Sequence, residues 1–158
     1  MRRSDAAAGG EVSVTVPVPG GGLLAAAPGG VPLAAVRFAL DPGPLAPSKA
    51  RRLARCALAD WGVGQEWGHD VLVVVSELVT NAVGHATPPV HLFLAPVGGA
   101  AAPGAVRISV TDGGAALTCG EWVAGCGVEE RGRGLAIVEA LASGAGRPGG
   151  GLRPYRVE

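Results

Sequence analysis

Aromatic side chains are scarce, with three Trp, two Phe and one Tyr making up 4% of a 158-residue chain. The 48% apolar content is therefore carried mostly by Ala, Val and Leu, and a core of such small side chains has to pack closely. Lysine is also short: Lys49 stands against twelve arginines, which together with the Ala and Gly excess reads as a coding bias rather than a functional signal. Cys56, Cys119 and Cys126 form an odd set without dense spacing, which argues against the disulfide framework of a secreted domain. Cys119 and Cys126 have no His between them, unlike the tight pairs of zinc sites.

Neither sign of charge dominates. The 13 basic and 13 acidic residues give a formal net charge of zero, which leaves no global field to hold nucleic acid or an anionic membrane. Long apolar runs are missing as well. The aliphatic run 71–75 is far short of the roughly twenty residues of a membrane span. The 23–35 stretch is broken by Pro and Gly, which speaks against a signal peptide, so the cytoplasm is the expected compartment. What remains is a chain of one-domain size, able to bury roughly two-thirds of its unfolded surface.

Residues 1–30 are Gly, Pro and Ala with a short alternation over 12–18, too little apolar material for a core of its own, and read as a flexible tail. The domain is expected over 31–158. A strand over 32–40 meets the reversal Asp41-Pro42-Gly43-Pro44. A helix then starts at Pro47-Ser48, with Leu53, Cys56, Ala57 and Trp61 at helical spacing, and stops at Gly62 and Gly64; Arg51, Arg52 and Arg55 take its other face. A second helix is predicted over 66–86, with Val71, Leu72, Val75, Leu78, Val79 and Ala82 inward, ended by Thr87-Pro88-Pro89. Strands follow at 90–97 and 106–111, then a Gly-rich irregular stretch over 115–131, a helix over 135–143 and a short strand over 152–157.

Three places on this scaffold carry candidate chemistry. Glu77 and Asn81 are one turn apart on the second helix and point together. An amide oxygen is a ligand for a hard cation such as Mg²⁺, and a carboxylate one turn earlier can orient water or accept a hydroxyl proton. Taken alone, the same pair also describes a solvated helix face. Asp112 stands where a strand runs into Gly113-Gly114, so its carboxylate at a bare sheet rim can accept from an exocyclic amine; an ordinary Asp-Gly turn has the same letters. Gly132-Arg133-Gly134 runs into a helix, whose free N–H groups favour phosphate. Ile137 at the third glycine position excludes a good Rossmann fingerprint, and Lys49 is in no Walker setting.

In this order, Ser76-Glu77-Leu78-Val79-Thr80-Asn81-Ala82-Val83, Val110-Thr111-Asp112-Gly113-Gly114 and Gly132-Arg133-Gly134-Leu135-Ala136-Ile137-Val138 resemble the three nucleotide boxes of the GHKL ATPase superfamily. The likeness covers roughly residues 31–143 and leans to the stand-alone anti-sigma-factor serine/threonine kinases. It implies a two-layer α/β sandwich, with helices on one face of a mixed, largely antiparallel sheet, and ATP with Mg²⁺ as cofactors. It gives Glu77 the general-base role, Asn81 the Mg²⁺, Asp112 the adenine amine and Gly114 room for the base. Gly132, Gly134 and Leu135 would line the phosphates under a lid.

The implied partners are an anti-anti-sigma protein of the STAS fold and a sigma factor. Relatives often form homodimers, although no exposed apolar stripe in the sequence requires one. Two letters depart from the pattern: Ala116 stands where a second spaced Gly is common, and Gly84 where a large polar residue is frequent. They keep a competing reading open, a docking module whose nucleotide pocket only sets conformation or is vestigial.

Overall fold

The computed structural model of the chain describes residues 10–18, 34–97, 104–114 and 136–142. Period-two alternation builds four strands, β1 (Glu11–Val18), β2 (Val36–Leu40), β3 (Val90–Val97) and β4 (Gly104–Thr111). They form one sheet in the order β1-β4-β3-β2, and all three pairings are antiparallel. Because successive side chains point to opposite faces, the register stacks apolar residues in rows across the sheet. Val14, Ile108, Leu94 and Val36 form one row, and Val12, Val110, Leu92 and Phe38 the next. Leu92, Leu94 and Ile108 are fully buried. The other face is mostly polar: Ser13, Ser109, Phe93 and Arg37 lie opposite one another, and Ser109 Oγ donates to Ser13 Oγ at 2.7 Å.

Helices α1 (Ala46–Asp60) and α2 (Gln65–His85) cover the apolar face, α1 against β2 and β3, α2 against β4, β1 and β3. The result is the expected two-layer sandwich. The buried stripe of α1 is Ala46, Ala50, Ala54, Ala57 and Leu58, continued by Trp61. Of the expected inward residues, Ala57 and Trp61 are buried, while Leu53 is only partly buried and Cys56 is exposed. The physical reason is size: alanines at four-residue spacing, Ala46, Ala50 and Ala54, let the backbone of α1 approach its neighbours along the first turns, and larger groups, Leu58 and Trp61, enter only at its end. Arg51, on the flank toward α2, donates from Nη1 to Ser76 Oγ at 3.0 Å, and Ser76 Oγ donates to the Leu72 carbonyl at 2.9 Å.

The helix ends follow local chemistry. Gly62 takes φ 71 just past α1, and the N–H groups of Gly62 and Val63 donate to the Ala59 and Leu58 carbonyls at 3.0 and 2.9 Å, the paired bonds of a Schellman stop. Ahead of Pro88 a residue is driven out of the α region, and α2 ends before it with Ala86 extended at φ -121, ψ 162. Residues 136–141 are helical within the expected 135–143, and Val138 is fully buried in the same core cluster.

Some expectations need correction. Residues 11–18 are not part of a tail: they are β1, paired residue for residue with β4 from Glu11↔Thr111 to Val18↔Gly104. Four valines on one side are too few to make a core, but a strand that completes a core built by others needs no more than that. Within the strand expected over 32–40, residues 34–35 are unpaired and β2 runs from Val36, residues 32–33 lying outside the described residues; β4 begins at Gly104 rather than at 106. The expected strand over 152–157 lies outside the described residues. Among the described residues no helix is long and apolar enough to cross a membrane.

The burial of β1 has a measurable consequence. Val16 is 1% exposed, so Val16→Ala should cost about 2 kcal/mol in lost burial and residual cavity. Urea unfolding is expected to show a lower midpoint with an unchanged slope. A midpoint equal to that of the unmutated chain would take β1 out of the core.

Candidate functional site

Helix α2 presents three sides. Val71, Val74, Val75, Leu78, Val79 and Ala82 face the core, and Ser76 marks the side bonded to α1. At about 100° per residue, Glu77 and Asn81 fall on the remaining flank, away from α1. Both are half-buried, at the border between core and solvent. A carboxylate and an amide one turn apart are thus held on a rigid element, on the side that α1 leaves clear.

Asp112 immediately follows β4 and is buried, 7% exposed. Its Oδ1 accepts from two backbone donors, Gly114 N at 2.8 Å and Gly10 N at 3.0 Å. Gly114 turns back with φ 103, a conformation that a side chain disfavours. Gly113 is required for a different reason. A Cβ there would collide with the Pro88 carbonyl oxygen and come within 2.9 Å of the Thr87 carbonyl oxygen.

That close approach makes a bracket. Gly113 N donates to Thr87 O at 2.7 Å, and Thr87 N donates to Gly114 O at 2.8 Å. Thr87 Oγ1 adds a third bond to Gly114 O at 3.2 Å. The chain just past α2 is thereby sewn to the loop carrying Asp112. Counting 1.5 Å per residue, Asn81 lies about 9 Å and Glu77 about 15 Å back along the helix from Thr87. Asp112 and Gly114 therefore sit at the C-terminal end of α2, with Asn81 and Glu77 roughly two and three turns back along that helix. Gly132, Gly134 and Leu135 lie outside the described residues, as does the expected lid over 115–131.

These residues fit a nucleotide with its cation. The bare backbone of Gly113 and Gly114 leaves the rim beside Asp112 without side chains, which suits a flat base. Among the described residues no three His, Cys, Asp or Glu gather into a metal cluster. A cation here would be held by Asn81 together with oxygens of its own ligand, the way Mg²⁺ is commonly bound with phosphates.

Sequence reasoning did not find Thr87, Gly10, Arg51 or the need for Gly113. Thr87 reads locally as a helix stop before two prolines, and no sequence signal tells that its backbone pairs with the glycine loop. The bracket predicts a contrast between glycines. Gly113→Ala should lower stability by about 1–3 kcal/mol through overpacking, whereas Gly43→Ala, where an added Cβ meets nothing within 4 Å, should leave the melting temperature nearly unchanged. Equal melting temperatures for the two variants would remove the bracket.

The model of the histidine kinase-like ATPase domain matches residues 38–145, more than half of the 158-residue chain. No curated protein and no solved structure gives a significant match. The matched span contains α1, α2, β3, β4 and the whole assembly of Glu77, Asn81, Asp112 and Gly114, while β1 with Gly10 lies before it. With this fold, and with the site inside the matched span, the chain belongs to the histidine kinase-like ATPase domain family, the GHKL type, whose members bind ATP.

Proposed function

We propose that this ATP-binding regulatory chain is a serine/threonine kinase of the anti-sigma-factor type, which phosphorylates an anti-anti-sigma partner. The observation that carries the reading is the placement of Glu77 and Asn81 on the clear flank of α2, with that helix bonded through Thr87 to the loop of Asp112. Bound ATP with Mg²⁺ supplies the transferable phosphoryl group and neutralises its charge. Asn81 offers a neutral amide oxygen to the cation, and Asp112 accepts from the exocyclic amine of adenine. Gly114 leaves space for the base.

Glu77, one turn before Asn81, takes the proton from the acceptor hydroxyl of the partner's Ser or Thr. Its half-buried position keeps it within reach of a docked hydroxyl while limiting water around it. Gly132, Gly134 and Leu135 line the phosphates in this reading, with residues 115–131 as the lid. The STAS partner and a sigma factor come from the resemblance of the three motifs, and a homodimer is compatible with it.

The experiment has two stages. Calorimetric titration with ATP and Mg²⁺ should show binding by the unmutated chain, weaker binding by Asn81→Ala, and none by Asp112→Ala. With a STAS partner present, labelled phosphate should pass to that partner, and Glu77→Ala should slow transfer by about 10²–10⁴-fold while still binding ATP. Equal transfer by Glu77→Ala sinks the kinase assignment. If the unmutated chain keeps its fold but binds no ATP, the docking-module reading replaces it.

A further inference from the structure

Gly10 stands just before β1, and the register that pairs Glu11 with Thr111 sets it opposite Asp112. Asp112 N donates to Gly10 O at 2.9 Å, and Gly10 N donates back to Asp112 Oδ1 at 3.0 Å. One residue of the N-terminal strand thus grips both the backbone and the side chain of Asp112. Since Gly114 N donates to the same oxygen at 2.8 Å, the carboxylate is held between two backbone donors 104 positions apart in sequence, residues 10 and 114. Such bonds fix its rotation as well as its place.

The fit on the Gly10 side leaves no slack. A Cβ on Gly10 would lie 2.7 Å from Oδ1, 3.0 Å from Oδ2 and 3.2 Å from Cγ of Asp112. Gly10 therefore lies directly against the carboxylate group. The obstacle is the end of one side chain, not backbone, so an added methyl is relieved by turning the carboxylate while the fold persists. The backbone of Gly10 carries no left-handed φ that would add strain of its own.

We propose that Gly10 is a positioning residue for base recognition: the N-terminal strand, which precedes the matched ATPase span, sets the angle at which Asp112 meets the amine of adenine. The inference rests on the nucleotide reading of Asp112 given above. It makes the discrimination between a 6-amino and a 6-oxo purine depend on a residue outside the span 38–145.

The test compares the affinities of the full chain for Mg·ATP and for Mg·inosine triphosphate, which has an oxygen where ATP has the amine. The unmutated chain should prefer ATP. Gly10→Ala should lose about tenfold of that preference, the loss of one well-aligned hydrogen bond, with the affinity for inosine triphosphate nearly kept. Ser13→Ala, which removes the Ser109 bond within the same strand pair, should lower the melting temperature and keep the preference. Retention of the full preference by Gly10→Ala, or an equal loss in Ser13→Ala, overturns the proposal.

Amide hydrogen exchange on the unmutated chain provides a measurement that does not depend on a variant folding. Saturating Mg·ATP should slow exchange at the Gly10 N–H more than Mg·inosine triphosphate at equal occupancy, and equal protection by both overturns the proposal. A chain that binds neither nucleotide removes the pocket itself. A chain that prefers ATP while Gly10→Ala behaves like it removes only the role of Gly10.

Discussion

The arrangement depends on two backbone hydrogen bonds between Thr87 and the pair Gly113-Gly114. They exist because residue 113 has no Cβ, so that the Thr87 and Pro88 carbonyl groups can lie against it. A helix packed on a sheet by aliphatic contacts alone can slide or roll, since such contacts are not directional. Bonds at its end fix both motions. Once the chain past α2 is sewn to the end of β4, the direction of Glu77 and Asn81 relative to Asp112 follows from helical geometry.

A second restraint comes from the side of α1. Arg51 reaches across to Ser76, the residue next to Glu77, and Ser76 is itself bonded back to the Leu72 carbonyl. That contact is possible because the Ala46, Ala50 and Ala54 stripe lets the two helices come close. The shortage of aromatics noted in the sequence thus has a structural counterpart. With small side chains between the layers the helices sit near the sheet, and modest polar groups, a Ser hydroxyl and an Arg tip, can bridge them. Helix α2, which carries Glu77 and Asn81, is then restrained by apolar contacts on one side, by a charged hydrogen bond on another and by the bracket at its end.

Local patterns in the sequence were enough for some elements and not for others. Strand β3 was expected over 90–97 and is Val90–Val97, because its alternation is bounded by two prolines and a Gly-rich run. Helix α2 was expected one residue out at each end, since its apolar period and the following prolines are strong signals. On α1 the pattern places Ala57 and Trp61 correctly but not Leu53 and Cys56, because hydrophobicity weights these two above the small alanines that close packing selects. Strand β1 was missed because eight residues with a single apolar side look insufficient until their partner is known. The site divides in the same way. Glu77, Asn81, Asp112 and Gly114 were legible because helix period and strand-to-glycine breaks are local, but their supports are not: the Thr87 hydroxyl bond spans 27 positions and the Gly10 bond 102.

The way the site is held also bears on what it can bind. Asp112 is buried, and its Oδ1 accepts from the backbone N–H groups of Gly10 and Gly114. Backbone amides on that oxygen fix the rotation of the carboxylate without adding a mobile charge of their own. The ion pair of Lys49 with Asp41 lies instead at the exposed start of α1, where such pairs contribute little. In the proposed function the attraction for a polyphosphate comes from a cation at Asn81 on α2, whereas the base meets Asp112 just past β4, so recognition of the base and binding of the phosphates fall to different elements.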